Sequence, residues 1–188
     1  MLALVAALLA ASPEVEVSRA LKGADGFSPA QFSSAMKAIE AVGPAGVPAL
    51  AQQRGALRTP NELWTVCEAL TRVPGEAALP AIEKRLGHES WLVRGSCMRA
   101  FGAALVKGGR TPERMKRIRA IVNGDDCALG MAAAETIGPL EDPVLRADFE
   151  GLLERPGCAR EVAVFGLRSA TKDTAAISAR MLAFLQDP

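Results

Sequence analysis

A chain of 188 residues is long enough for one ordinary domain or for about five or six two-helix repeats. Hydrophobic residues make up 49% of it but aromatic ones only 4%, with no Tyr, and this dominance of Ala, Leu and Val argues for an all-α protein and against a β-sandwich. The net charge is +1, and nine basic and nine acidic side chains in residues 1–94 face thirteen and twelve in residues 95–188, so the chain lacks the basic excess of a dedicated nucleic-acid binder.

Taken in chain order, the first element is Leu2–Ala11, LALVAALLAA, ten apolar residues in a row. That is too short for a transmembrane helix. It has the apolar character of a secretory signal core, but no Lys or Arg precedes it and no clean small-x-small cleavage site follows. Residues 1–12 therefore read as a signal-like or frayed N-terminal segment, and export (periplasmic or secreted) and cytoplasmic residence stay equally open.

From there a repeat dominates. The segments Gln31–Glu40, Glu62–Thr71, Val93–Gly102, Leu129–Gly138 and Ala159–Arg168 agree in type when superposed. Their anchors Ile39, Leu70, Phe101, Ile137 and Leu167 are 31, 31, 36 and 30 residues apart, the long step reflecting the Gly-containing insertion Val106–Pro112. One turn before each anchor lie Ala35, Val66, Cys97, Ala133 and Ala163, with Met36, Cys67, Met98, Ala134 and Val164 beside them. Small residues (Ala38, Ala69, Ala100, Thr136 and Gly166) immediately precede the anchors, as close helix–helix approach requires. Each segment follows another amphipathic stretch, clearest at Val47–Gln53, Leu79–Leu86, Met115–Val122 and Val144–Leu153. Thr111-Pro112-Glu113 and Asp142-Pro143 carry helix-entry chemistry, and Pro44, Pro48 and Pro80 sit in first turns where a missing N–H costs little. Gly87, Gly124 and Gly157 are expected to end helices in the left-handed conformation.

These second helices resemble those of HEAT and HEAT-like repeats of the armadillo type, which favour an Asp or Pro turn, then Val-Arg, an alanine run and Leu-Gly. Leu129–Gly138 and Val93-Arg94 with Ala100-Phe101-Gly102 carry the resemblance best, and it covers roughly residues 28–171. The family's Arg stands at Arg94 and Arg160, while Phe32, Leu63 and Gly130 occupy its column elsewhere. The resemblance implies an all-α, right-handed α-solenoid of about five HEAT-like hairpins at about 14–42, 44–73, 75–106, 111–140 and 142–171. A cap helix at 174–185 completes a single domain over 13–188. It also implies an interaction or scaffold module whose second helices line a concave face.

Two rows fall outside the apolar columns of that face: Lys37, Glu68, Arg99, Glu135 and Phe165, and Ser33, Trp64, Gly95, Met131 and Glu161. Rungs would lie on the order of 10 Å apart. The first row alternates in sign over four rungs, so it reads either as a solvated ladder that sets register or as part of a binding face. Trp64, Met131 and Phe165 could form an apolar patch among charges. The candidate partner-binding residues are thus Trp64, Arg99, Met131, Phe165, Lys37, Glu68 and Glu135, with a protein as the expected partner. Trp91 reads as a packing residue at its turn.

Catalytic and metal chemistry is sparse. His88 is the only histidine, and the four Cys lie about thirty residues apart without a C-x-x-C pair, so no metal or cofactor is expected. His88-Glu89 is similar to one His–Glu pair of deoxyhypusine hydroxylase, a HEAT-like protein that needs several. No G-x-S-x-G, Walker or dinucleotide loop is present. Cys67 and Cys97 fall in core columns and read as small buried hydrophobes. Cys127 and Cys158 open successive second helices and are the only plausible pair to bridge on export, but stacked repeats are expected to hold their Cα atoms beyond the about 7 Å that a bridge spans. Lys107, Arg110, Arg114, Lys116, Arg117 and Arg119 form a basic cluster, expected to be a solvated convex helix face with i,i+4 partners; the sharper alternative is an anion or acidic-partner site. The competing functional class is a HEAT-like enzyme or enzyme subunit, of lyase or nucleic-acid glycosylase type.

Overall fold

Prolines and short polar residues divide the chain into helices. A computed structural model describes residues 12–24, 28–52 and 60–170, together with Ala179. Residues 1–11 and, apart from Ala179, the expected cap helix 174–185 lie outside the described residues. The described helices are α1 (Pro13–Ala24), α2 (Pro29–Val42), α3 (Val47–Ala51), α4 (Pro60–Arg72), α5 (Leu79–Arg85), α6 (Trp91–Val106), α7 (Pro112–Val122), α8 (Cys127–Ile137), α9 (Pro143–Leu152) and α10 (Cys158–Ala170). Short 3₁₀ turns lead into α3 and α5 and close α8. Among the described residues there is no strand, so the fold is all-α.

The starts show why these residues begin helices. The Thr111 hydroxyl accepts from Arg114 N–H (3.3 Å), with Pro112 at the first helical position. Asp126 Oδ1 accepts from Leu129 N–H (3.1 Å), and Asp142 Oδ1 accepts from Val144 and Leu145 N–H (2.9 and 3.1 Å). Each such cap contributes about 1 kcal/mol. At the ends, Gly157 is left-handed as expected (φ 70°), but Gly87 and Gly124 are not. There the last turn tightens instead: His88 N–H donates to Arg85 O (3.0 Å) and Gly124 N–H to Ile121 O (3.1 Å).

Helices pack in two ways. Neighbours in sequence pair, α1 with α2, α5 with α6, α7 with α8 and α9 with α10, and the second members lie against one another, α4 on α6, α6 on α8 and α8 on α10. The anchor column is buried throughout, from Ile39, Leu70 and Phe101 to Ile137 and Leu167. So are Ala35, Val66, Cys97, Ala133 and Ala163 one turn earlier. The small column explains how closely the helices approach: a Cβ on Gly102 of α6 would overlap the Thr136 side chain of α8, and one on Gly166 of α10 would overlap the Phe149 ring of α9. Ala38 alone in that column is exposed, because α2 stands at the edge of the described array.

Both cysteine pairs are bonded. Cys127 and Cys158, expected to be held too far apart by the stacking, bridge with Cα atoms 5.6 Å apart. Reading Cys67 and Cys97 as free core residues is corrected, since they too form a disulfide, with Cα atoms 4.8 Å apart. They occupy adjacent columns on two helices packed side by side, so the columns that bury them also bring their sulfurs together. Trp91 is likewise corrected: it is 66% exposed rather than packed at its turn. A helical side chain leans over the turn before it, and the first residue of α6 has no such turn beneath it.

Candidate functional site

The candidate site is built from second helices, whose outward rows are aligned by contacts about thirty residues apart. Glu68 on α4 and Arg99 on α6 form an ion pair. Glu68 Oε1 also accepts from the fully buried Ser96 hydroxyl (2.8 Å), which reaches Trp64 O at 3.4 Å as well. Arg72 of α4 pairs with Glu40 of α2 (2.8 Å). Arg94 Nη2 lies 2.8 Å from the Asp126 carboxylate, while Arg94 Nη1 donates to the carbonyls of His88 and Glu89 (2.9 and 2.8 Å). One guanidinium thus joins the turn before α6 to the turn before α8.

The rest of the first row is free of such pairing among the described residues: Lys37 and Glu135 are exposed, and Phe165 is 42% exposed. In the second row Ser33 and Glu161 are exposed, but Trp64 is half-buried and stacked on Phe32, with ring centroids 5.0 Å apart and planes at 19°. Met131 is half-buried against the core. Gly95 lies between them in the row, and a Cβ there would meet nothing within 4 Å. Of the three apolar candidates, Phe165 is therefore the one that presents a large exposed surface.

Sequence reasoning missed two participants. Phe32 stands in the column expected to hold Arg, and its distance of 32 residues from Trp64 was the available signal for the stack. Ser96 belongs to a column with Thr65, Ala132 and Val162 that is buried throughout α4, α6, α8 and α10, and the small size of these residues at repeat spacing was the available signal.

Neither a protein-family model, nor a curated protein, nor a solved structure matches the chain.

The remaining chemistry is structural. In the basic cluster, Arg114 Nε binds Glu83 Oε1 (3.0 Å), Arg117 Nη2 donates to Glu83 O (2.9 Å), and Arg119 is bidentate on Asp148 (2.6 and 2.9 Å). These partners lie on neighbouring first helices rather than at i,i+4, and the two carboxylates offset part of the cluster's charge. The same bonds to Asp148 push the Arg119 guanidinium pKa further up. Its own backbone N–H, then the Thr111 hydroxyl, hold the Glu113 carboxyl below the ordinary carboxylate range. The Ser12 hydroxyl does the same for Glu14, and burial pushes Arg85 down. His88 Nδ1 accepts from Ser90 N–H (3.1 Å), a turn-forming contact.

Among the described residues no three His, Cys, Asp or Glu side chains gather as a metal site, and no helix is long and apolar enough to cross a membrane. An open groove of about 520 Å³ runs between α1 and α2, lined by Glu16, Arg19, Gln31, Ser34, Ala38 and Ala41, away from the two rows.

Proposed function

We propose that the chain is a right-handed α-solenoid of about five HEAT-like hairpins that holds a protein partner on the concave face of its second helices and performs no catalysis itself. The observation that carries this reading is the side-by-side packing of α4, α6, α8 and α10, in which residues about thirty apart become neighbours. Such an array presents an extended surface rather than a single cleft. Glu68 and Arg99 neutralise each other at its centre, leaving Lys37, Glu135 and Phe165 to meet a partner. The two bridges support residence in an oxidising compartment; four free thiols in protein labelled inside intact cells would overturn that part.

The test is cross-linking and affinity measurement with wild type, Phe165→Ala, Glu135→Lys and, as a control on a first helix, Lys116→Glu. Loss of about tenfold or more in affinity for the first two variants, with the control unchanged, is the expected pattern for an aromatic anchor and a facing charge. Weakened binding in the control alone would place the partner on the opposite face and overturn the reading.

A further inference from the structure

The two disulfides lie in opposite environments. Cys67 is in the middle of α4 and Cys97 in the middle of α6, and both are fully buried. Cys127 and Cys158 are partly exposed, and each is the first residue of its helix, α8 and α10. We propose that the Cys127–Cys158 bridge is a thiol–disulfide exchange site, opened by a dithiol reductant while the Cys67–Cys97 bridge stays closed.

Exchange needs in-line access to a sulfur and a leaving thiolate that is stable. The buried bridge offers neither, because its thiolates would form in an apolar interior. At the outer bridge both thiolates would form at helix N-termini, where unpaired N–H groups and the helix dipole stabilise negative charge. The two ends differ. The start of α8 is already capped by the Asp126 carboxylate, which accepts from Leu129 N–H. At α10 the equivalent Arg160 N–H donates to the Gly157 carbonyl (3.0 Å), a neutral acceptor, and Gly157 brings no carboxylate to that terminus. Cys158 is thus the better leaving group, and the attack falls on Cys127.

The reductant's first thiolate bonds to Cys127 Sγ as the Cys127–Cys158 bond breaks, and the electron pair leaves on Cys158. The reductant's second thiolate then attacks its own sulfur in the mixed disulfide, releasing Cys127. The reductant becomes a disulfide, and the protein gains two electrons and two protons as two thiols. The junction of α8 with α10 then keeps the close packing of Gly130 against Val162.

The experiment treats the oxidised full chain with graded dithiothreitol, alkylates it, and maps each cysteine by peptide mass while circular dichroism follows helix content. Cys127 and Cys158 should be alkylated at least about tenfold faster than Cys67 and Cys97, with helix content retained, as access and leaving-group stability require. A parallel reaction with reduced glutathione should place the adduct on Cys127. In Cys127→Ser/Cys158→Ser the buried pair should stay resistant, which separates its own protection from any lent by the outer bridge. Simultaneous reduction of both bridges, resistance of both until the helices melt, or loss of protection in the double variant would overturn the proposal; glutathione on Cys158 would overturn the direction of attack.

Discussion

Between α4 and α6, a buried disulfide, the Glu68–Arg99 ion pair and the Ser96 hydroxyl all cross the same junction. Between α8 and α10 the bridge sits at the helix starts, and shape matters more: a Cβ on Gly130 would come within 3.0 Å of the Val162 side chain. The columns behind the two junctions are the same, yet one fixes register with bonds inside the core and the other with close backbone approach and a clasp at the edge. A repeat pattern therefore sets which helices meet, while single residues within it decide how firmly each junction holds.

The largest effect should separate the anchors. Phe101→Ala, in the centre, should cost about 3–5 kcal/mol, against about 2–3 kcal/mol for Leu167→Ala at the slightly exposed end, because a larger and better enclosed side chain leaves the larger cavity. Urea unfolding of the two variants checks this, and equal losses would erase the contrast.

The bridges come next. They close loops of nearly equal separation, 30 and 31 residues, so loop entropy alone assigns both the same loss of about 3.6 kcal/mol. Cys67→Ala/Cys97→Ala should lose more than Cys127→Ala/Cys158→Ala in thermal unfolding, since only the first pair is fully enclosed.

Glycines sharpen the role of shape. Gly166→Ala pushes against the Phe149 ring and should cost about 1–3 kcal/mol, the usual penalty of overpacking. Gly95→Ala points into open space on α6 and should stabilise by about 0.5–1 kcal/mol through helix propensity. Paired denaturation curves give both values.

The smallest effect lies away from either junction, at the start of α7. Hydrogen bonds depress the Glu113 pKa in the folded protein, so its contribution is complete above the unfolded carboxylate pKa and is lost as pH falls through the folded one. Between about pH 5 and pH 3 the melting temperature of wild type should fall slightly more steeply than that of Glu113→Gln.

Much of this was legible in the residues. The anchor column and the column one turn earlier were readable because a helix repeats every 3.6 residues and the segments recur every thirty or so. Caps at Thr111 and Asp142 follow from side chains that can reach a nearby N–H. The Cys67–Cys97 bond was not readable, because burial and bonding place a cysteine in the same kind of column and only the facing helix distinguishes them. Trp91 failed for a related reason: hydrophobicity predicts burial only where a neighbour is present, and composition does not report that neighbour. In the candidate face, the Glu68–Arg99 pair was visible as alternating sign, whereas the Phe32–Trp64 stack joins two columns that pattern alone keeps apart.

Second helices of successive pairs lie directly against one another, and the aligned rows of the candidate face follow from that contact. Peptide mapping of the oxidised, unreduced chain tests this most directly. Cross-linked peptides joining Cys67 to Cys97 and Cys127 to Cys158, and no others, are the predicted result. A native bond between Cys67 and Cys127 or between Cys97 and Cys158, which would join helices that are not neighbours, would contradict it.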